Sequence, residues 1–311
     1  MAHNIKSIRE KFRANGVFYS DERMAAMLRD FMPGDATEVY DPTCGDGGLL
    51  AVFPDEVRKY GQELDAEQAR VASERLVNAD IVAGDTLTAP AFIGKRFRAI
   101  VANPPFSVKW TPPADPKKDP VFADAPTLPP PGKADYAFLL HILHVLADDG
   151  VAAVVNYPGI CYRGQREGKL REWIIERNLI DRVLLMEKGY FVDTDTVTVI
   201  LVLKKNRTED FITMRDNALG IERRVTLDEI RENDYSLNVS SYVSPPEPEK
   251  PKVNPADLEF RARNGVIRQI RAHIEFSAMV AFMEGWSIDP FLDQIQDLIE
   301  EYRHKDRTKP F

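Results

Sequence analysis

"TEVYDPTCGDGG", residues 37–48, runs from a β-branched and aromatic stretch straight into a turn with three glycines in four positions. That pattern predicts a short buried strand ending at Asp41, then a backbone able to turn sharply and approach a ligand closely. Further on, "FRAIVANPPFSV" (97–108) repeats the arrangement, with a strand entering the turn Asn103-Pro104-Pro105-Phe106. Between and beyond them the chain alternates. "VRKYGQEL" (57–64) and "ADIVAGD" (79–85) read as strands around a helix over "AEQARVASERLVN" (66–78). Helical spacing over "ADYAFLLHILHVLADDG" (134–150) predicts a helix that stops at Gly150. Then come a strand over "VAAVVNYP" (151–158), a helix over "EGKLREWIIERNL" (167–179), and strands over "DRVLLMEKG" (181–189) and "TVTVILVLKK" (196–205). The alternation predicts an α/β domain whose mostly parallel, seven-stranded sheet is covered by helices on both faces. Ligands of such sheets lie outside the carboxyl ends of the strands, and both turns fall there.

Composition bounds the problem. A chain of 311 residues can bury a substantial core. No apolar run approaches the roughly 20 residues of a membrane span, and the start lacks an apolar signal core, so a cytoplasmic protein without membrane contact is expected. Cys44 and Cys161 lie far apart with no CxxC pair, which suggests neither a disulfide framework nor a metal site. The net charge of −8 argues against binding nucleic acid through whole-surface attraction. An acidic enzyme acting on a polyanion would be helped by a basic partner. Two proline-rich stretches interrupt the alternation. Residues 111–132 predict a long loop behind Asn-Pro-Pro-Phe, and 243–257 a linker before a helical tail. The expected organisation is an α/β domain over 1–242, a linker over 243–257 and a helical extension over 258–311.

The first turn holds two carboxylates, Asp41 and Asp46, and lacks the G-x-G-x-x-G spacing of a dinucleotide site. Carboxylates suit a cationic ligand better than a pyrophosphate, and S-adenosylmethionine carries a sulfonium and an ammonium. Glu63 ends the second strand, where an acid can accept hydrogen bonds from ribose hydroxyls. Asp85 ends the third, where a carboxylate can accept from an adenine amino group.

The second turn suits methylation of an aromatic amine. The lone pair of such a nitrogen is delocalised into its ring, so acceptors on its two protons favour a tetrahedral nitrogen and stabilise the developing positive charge. Asn103 offers a side-chain carbonyl and Pro104 a backbone carbonyl. Pro104 and Pro105 stiffen the turn, and Phe106 offers a flat face to the ring. Neither His141 nor His144 is given a role. Trp110 opens the proline-rich loop.

At this level the chain resembles the adenine-specific DNA methyltransferases, above all the modification subunits of type I restriction–modification systems. "GVFYSDERMAAML" (16–28) is similar to that family's segment at the methionine part of the cofactor, and "DPTCGDGGLL" (41–50) to its cofactor turn. The stretch 159–205 and "YSLNVSSYV" (235–243) resemble the segments that follow its catalytic tetrapeptide. The resemblance implies a Rossmann-like S-adenosylmethionine-dependent methyltransferase fold with a short helical carboxyl-terminal extension. It implies cofactor contacts at Phe18, Tyr19, Asp41, Thr43, Gly45, Gly47, Glu63 and Asp85, catalysis at Asn103, Pro104, Pro105 and Phe106, and stacking of an extruded adenine on Phe106 and Phe191. Double-stranded DNA is then the substrate, and a specificity subunit a candidate partner. Ser20-Asp21 replaces the family's Thr-Pro. Few residues precede the first motif, so the large amino-terminal helical domain of type I subunits is not expected, and an orphan methylase, for example phage-encoded, is another reading. Asn-Pro-Pro-aromatic turns also serve methylases of ribosomal RNA guanine and of release-factor glutamine. A non-catalytic module that kept the fold is a further alternative, which both intact turns disfavour.

Overall fold

The computed structural model describes residues 22–189, 197–245 and 255–304. The chain forms two compact units, one up to Pro245 and one from Pro246. In the first, nine strands make one sheet: β1 (Glu38–Asp41), β2 (Arg58–Glu63), β3 (Ala79–Ala83), β4 (Phe97–Ala102), β5 (Leu146–Asn156), β6 (Ile180–Leu185), β7 (Val199–Lys204), β8 (Phe211–Asp216) and β9 (Ile221–Thr226). Their order is β3-β2-β1-β4-β5-β7-β6-β8-β9. The strands from β3 to β5 pair in parallel, and β7 inserts antiparallel between β5 and β6.

Sequence dictates why this sheet is buried on both faces. "AIVA" in β4 and "VILVL" in β7 are unbroken apolar runs, as strands covered twice must be. Ile100, Ala102, Val154 and Leu201 face one apolar cluster, which contains Tyr136 and Leu139 of α3 (Asp135–Val145). Val101, Val155 and Ile200 face the other, with Met24 and Leu28 of α1 (Glu22–Asp30). α3 is apolar all round and accordingly buried almost throughout. α2 (Ala66–Arg75) starts where the Asp65 side chain accepts from the amides of Glu67 and Gln68. α4 (Gln165–Glu176) follows a 3-10 turn over Pro158–Cys161.

Two expectations need correction. The helix expected to run to Gly150 ends at Val145, and β5 begins at Leu146. Residues 146–150 form its irregular start, with Leu146 opposite Phe97 before the register shifts to Ala99 and Val151. A Cβ on Gly150 would stand 2.8 Å from the Phe97 carbonyl oxygen, so this glycine permits close strand approach and does not stop a helix. The sheet also has nine strands among the described residues, where seven were expected. β8 lies parallel to β6, and β9 closes a hairpin against it. In β9 only Val225 is buried, so as an edge strand it shows none of the apolar run that marks a central one. It leads into α5 (Leu227–Glu232), whose Thr226 and Glu229 form a reciprocal capping box.

The proline-rich stretch 111–132 contains neither helix nor strand. It is tied down at its mouth, where the Trp110 backbone N–H donates to the Pro131 carbonyl and its indole Nε1 to that of Pro130, both at 3.0 Å. The Trp110 ring packs on buried Phe122. This tryptophan therefore anchors the loop. The second unit holds α6 (Pro255–Glu284) and α7 (Asp289–His304). α6 begins with Pro255, inside the stretch read as linker, at the helical position where proline costs no hydrogen bond. Among the described residues no helix is long and apolar enough to cross a membrane.

Candidate active site

The sheet order brings the carboxyl ends of β2, β1 and β4 side by side, with Tyr40 of β1 opposite both Tyr60 and Ile100. Asp41, Glu63 and Asn103 thereby converge on one edge of the sheet. Two hydrogen bonds tie the loops together. The Gly45 amide donates to Glu63 Oε2 at 2.9 Å, and the Thr86 hydroxyl, next to Asp85, donates to the Pro42 carbonyl at 2.5 Å.

The four acids play different local parts. Asp41 is 1% exposed, its Oδ1 accepting from the Thr43 amide at 2.9 Å. Burial, reinforced by the Glu63 carboxylate, pushes its carboxyl up to about 7. Asp46, by contrast, is already paired with Arg75 at 3.0 Å, and its Oδ1 caps Gly48. It shapes the turn. Glu63 spends one lone pair on Gly45 and, through Oε1, one on the Asp65 amide. Asp85 folds its own turn, accepting from the Leu87 amide and the Thr88 hydroxyl. Each carboxylate oxygen accepts more than one hydrogen bond, so both acids retain capacity for a ligand. A cavity of about 220 Å³ is lined among others by Thr86, Leu87, Ile93, Val121, Phe122 and His141. His141 is buried, hydrogen-bonded to the Tyr40 hydroxyl at 3.1 Å and driven down to about 3 by burial. It is a neutral packing residue. Among the described residues no group of three His, Cys, Asp or Glu could hold a metal ion.

The glycines separate into two kinds. Gly45 (φ 55°) faces open space, where an added Cβ would meet nothing within 4 Å. Gly47 (φ 84°) is closed, and a Cβ there would stand 2.7 Å from Leu76 Cδ1. Gly47→Ala should therefore destabilise the fold by about 2–4 kcal/mol, combining left-handed strain with overpacking. Gly45→Ala should cost about 1–2 kcal/mol and act chiefly on ligand affinity. Thermal melts and titration calorimetry of the two variants check this, and equal stability losses would contradict it.

In the second turn Pro104 is buried, while Asn103, Pro105 and Phe106 are half-buried. Phe106 packs against the apolar cluster shared with α1. The turn is held downstream. Ser107 takes a left-handed φ of 53°, its amide donates to Asp135 Oδ1 at 3.1 Å, and the Val108 carbonyl accepts from the Ala134 amide. Asp135 and Arg163 at this point escaped the sequence reading. Their only signal was charge beside apolar stretches, and nothing in spacing connects them to residue 107. Thr43 is half-buried beside Asp41. Phe18, Tyr19 and Phe191 lie outside the described residues.

The chain as a whole is similar to known proteins. A family model described as N-6 DNA Methylase matches residues 6–224. The MpnII methylase subunit, a type I restriction enzyme component of Mycoplasma pneumoniae, is 30% identical, over 75% of this chain and 54% of that protein. The MjaVII methylase subunit of Methanocaldococcus jannaschii is 28% identical over 80% of this chain and 52% of its own. The chain thus spans about half the length of these curated relatives. Among solved structures, the methyltransferase subunit of a type I restriction-modification system from Streptococcus thermophilus superposes with a TM-score of 0.66 at 29% identity, covering 73% of this chain and 59% of that one.

Proposed function

This chain belongs to the N-6 DNA methylase family, and we propose that it transfers a methyl group from S-adenosylmethionine to the 6-amino group of adenine in double-stranded DNA. One observation carries the reading: in a chain of this family, a glycine turn holding a buried carboxylate and an Asn-Pro-Pro-Phe turn end adjacent parallel strands, β1 and β4.

The residues present fit the donor. Asp41 is a buried carboxylate whose carboxyl is raised to about 7, an energetic position that an approaching cation relieves. Gly45 presents bare backbone to open space. Glu63 would take ribose hydroxyls and Asp85 an adenine amino group on their remaining lone pairs, with Phe18, Tyr19, Thr43 and Gly47 completing the set. S-adenosylmethionine supplies a methyl carbon already activated by positive sulfur. What remains for the protein is alignment and charge stabilisation. The Asn103 side-chain carbonyl and the Pro104 backbone carbonyl would accept hydrogen bonds from the two amine N–H groups, favour a tetrahedral nitrogen and stabilise the ammonium-like charge until the surplus proton is lost to solvent. Phe106 and Phe191 hold the ring of a base that must leave its stack to be reached.

Residues 1–242 would form the catalytic domain, with 243–257 linking it to a tail over 258–311 that meets DNA or a partner. Large apolar side chains in the tail support a docking role, since Phe282, Met283 and Trp286 are each more than half exposed. The relatives are named as subunits, which makes a specificity subunit the natural partner for an acidic chain. Mapping modified bases in DNA from a methylase-free host that expresses this protein alone, beside an Asn103→Ala control, tests the reading. Methylated adenines in a defined sequence, lost in the control, would establish an autonomous enzyme. Unmodified DNA together with retained donor binding would point to a required partner, and methylated RNA or protein without modified DNA would overturn the proposal.

A further inference from the structure

Behind the Asn103–Phe106 turn lies a cluster of charges that the reaction itself does not require. Asp135, the first residue of α3, is 2% exposed, and Glu167 of α4 is 4% exposed. Charges this deeply placed are costly unless paired. Arg163, between the 3-10 turn and α4, serves both. Its Nη1 lies 3.2 Å from Glu167 Oε1 and 3.6 Å from Asp135 Oδ2. Lys133 adds a second positive charge, 3.7 Å from Glu167 Oε2.

The cluster ends on one residue of the loop. Arg163 Nη2 donates to the Ser107 hydroxyl at 3.1 Å, while Asp135 Oδ1 accepts from the Ser107 amide at 3.1 Å. Ser107 directly follows Phe106 and sits in the left-handed region, a conformation that a non-glycine residue keeps only when its surroundings hold it. The guanidinium is itself seated. It lies against Gly159, where an added Cβ would stand 2.5 Å from Arg163 Nε, and the Arg163 backbone carbonyl accepts from Arg171 Nη1 at 2.7 Å. Three separate elements, the start of α3, the 3-10 turn and the start of α4, are thus wired to the residue that closes the turn.

We propose that Asp135 and Arg163 are positioning residues: with Ser107 they form a clamp that holds the Asn103–Phe106 turn in the geometry that receives the target amine. The proposal rests on the amine-methylation reading for its consequence but not for the clamp itself. Neither side chain touches a reacting atom in this account. Their effect is to fix where the Asn103 and Pro104 carbonyls stand, and a misplacement of about 1 Å costs on the order of 100-fold in rate.

Hydrogen exchange of the peptide spanning 103–110 reads the clamp directly, whether or not methylation is detected. Asp135→Asn keeps an acceptor for the Ser107 amide and loses the charge facing Arg163. Arg163→Met removes the guanidinium. Because either change could unsettle the buried charges, Ser107→Gly serves as the gentle variant: it deletes the hydroxyl, tolerates φ 53° and leaves the ion cluster whole. Ser107→Gly and Arg163→Met should each speed exchange in 103–110 by about tenfold or more, with the β4 and β7 peptides unchanged. Methyl transfer should fall on the order of 100-fold in kcat, with KM for S-adenosylmethionine within about twofold. Arg163→Lys should recover only part of the rate, since an ammonium cannot reach Ser107, Asp135 and Glu167 together. Unchanged exchange in 103–110 in both variants would refute the clamp. Faster exchange with an unchanged kcat would refute its positioning role. A wild-type protein that methylates no DNA even when a specificity subunit is supplied would count against the proposed function, while the exchange result still decides the clamp.

Discussion

Asn103→Ala is expected to lower the rate of methyl transfer by about two to three orders of magnitude, the loss typical of removing one preorganised group from a site of developing charge. The amine nitrogen of adenine is a poor nucleophile because its lone pair belongs to the ring, and it gains positive charge as the new bond forms. A carbonyl on one amine proton matters most at that moment, so its loss falls on kcat and little on substrate binding. Donor affinity should stay within about threefold, because the donor's expected contacts lie on the β1, β2 and β3 loops and in the segment preceding α1. Single-turnover transfer of labelled methyl groups, beside calorimetric titration with S-adenosylmethionine, checks both halves. A rate within tenfold of wild type would mean that the amine is received elsewhere.

Donor affinity should also depend on pH through Asp41. In the ligand-free protein its carboxyl titrates at about 7, raised first by burial and then by Glu63. A cationic donor favours the ionised form, so binding below pH 7 releases close to one proton, and affinity rises about tenfold per pH unit until it levels off above 7. Stability follows the opposite sign. The folded state holds this proton more tightly than the unfolded chain, whose value is near 3.8. The stability it contributes is therefore fully present below pH 4 and is lost as pH rises towards 7. Asp41→Asn removes a buried charge and keeps the shape. The variant should melt a few degrees higher than wild type at pH 8, bind S-adenosylmethionine at least about tenfold more weakly there, and show a flat affinity profile between pH 6 and 8. Calorimetry in buffers of different ionisation enthalpy counts the proton. A flat wild-type profile would show that another group meets the cation.

Much of this was legible in the chain. Strand-forming runs ending at Asp41, Glu63 and Ala102 each stop where glycine, proline or a capping acid stops them, and these signals are local. The hairpin β8–β9 was not legible, because an edge strand buries one face only and "IERRVT" has the composition of a loop. The end of α3 was misplaced for a related reason. Gly150 marks a helix stop in isolation, yet here it lets the β5 backbone pass so near Phe97 that an added Cβ would stand only 2.8 Å from the Phe97 carbonyl oxygen.

By itself the sequence determined the alternation of strands and helices, the two turns and the family, because periodicity, glycine and proline act within a few residues of where they stand. The tertiary structure alone decided what each acid does. Asp41 and Asp46 are five residues apart and chemically alike. The fold buries the first near the Glu63 carboxylate and lays Arg75 against the second, 29 positions along the chain. Ser107 meets Asp135 across 28 positions and Arg163 across 56. Charge pairing and desolvation depend on distances set by the packing of separate elements, and spacing along the chain carries no record of them.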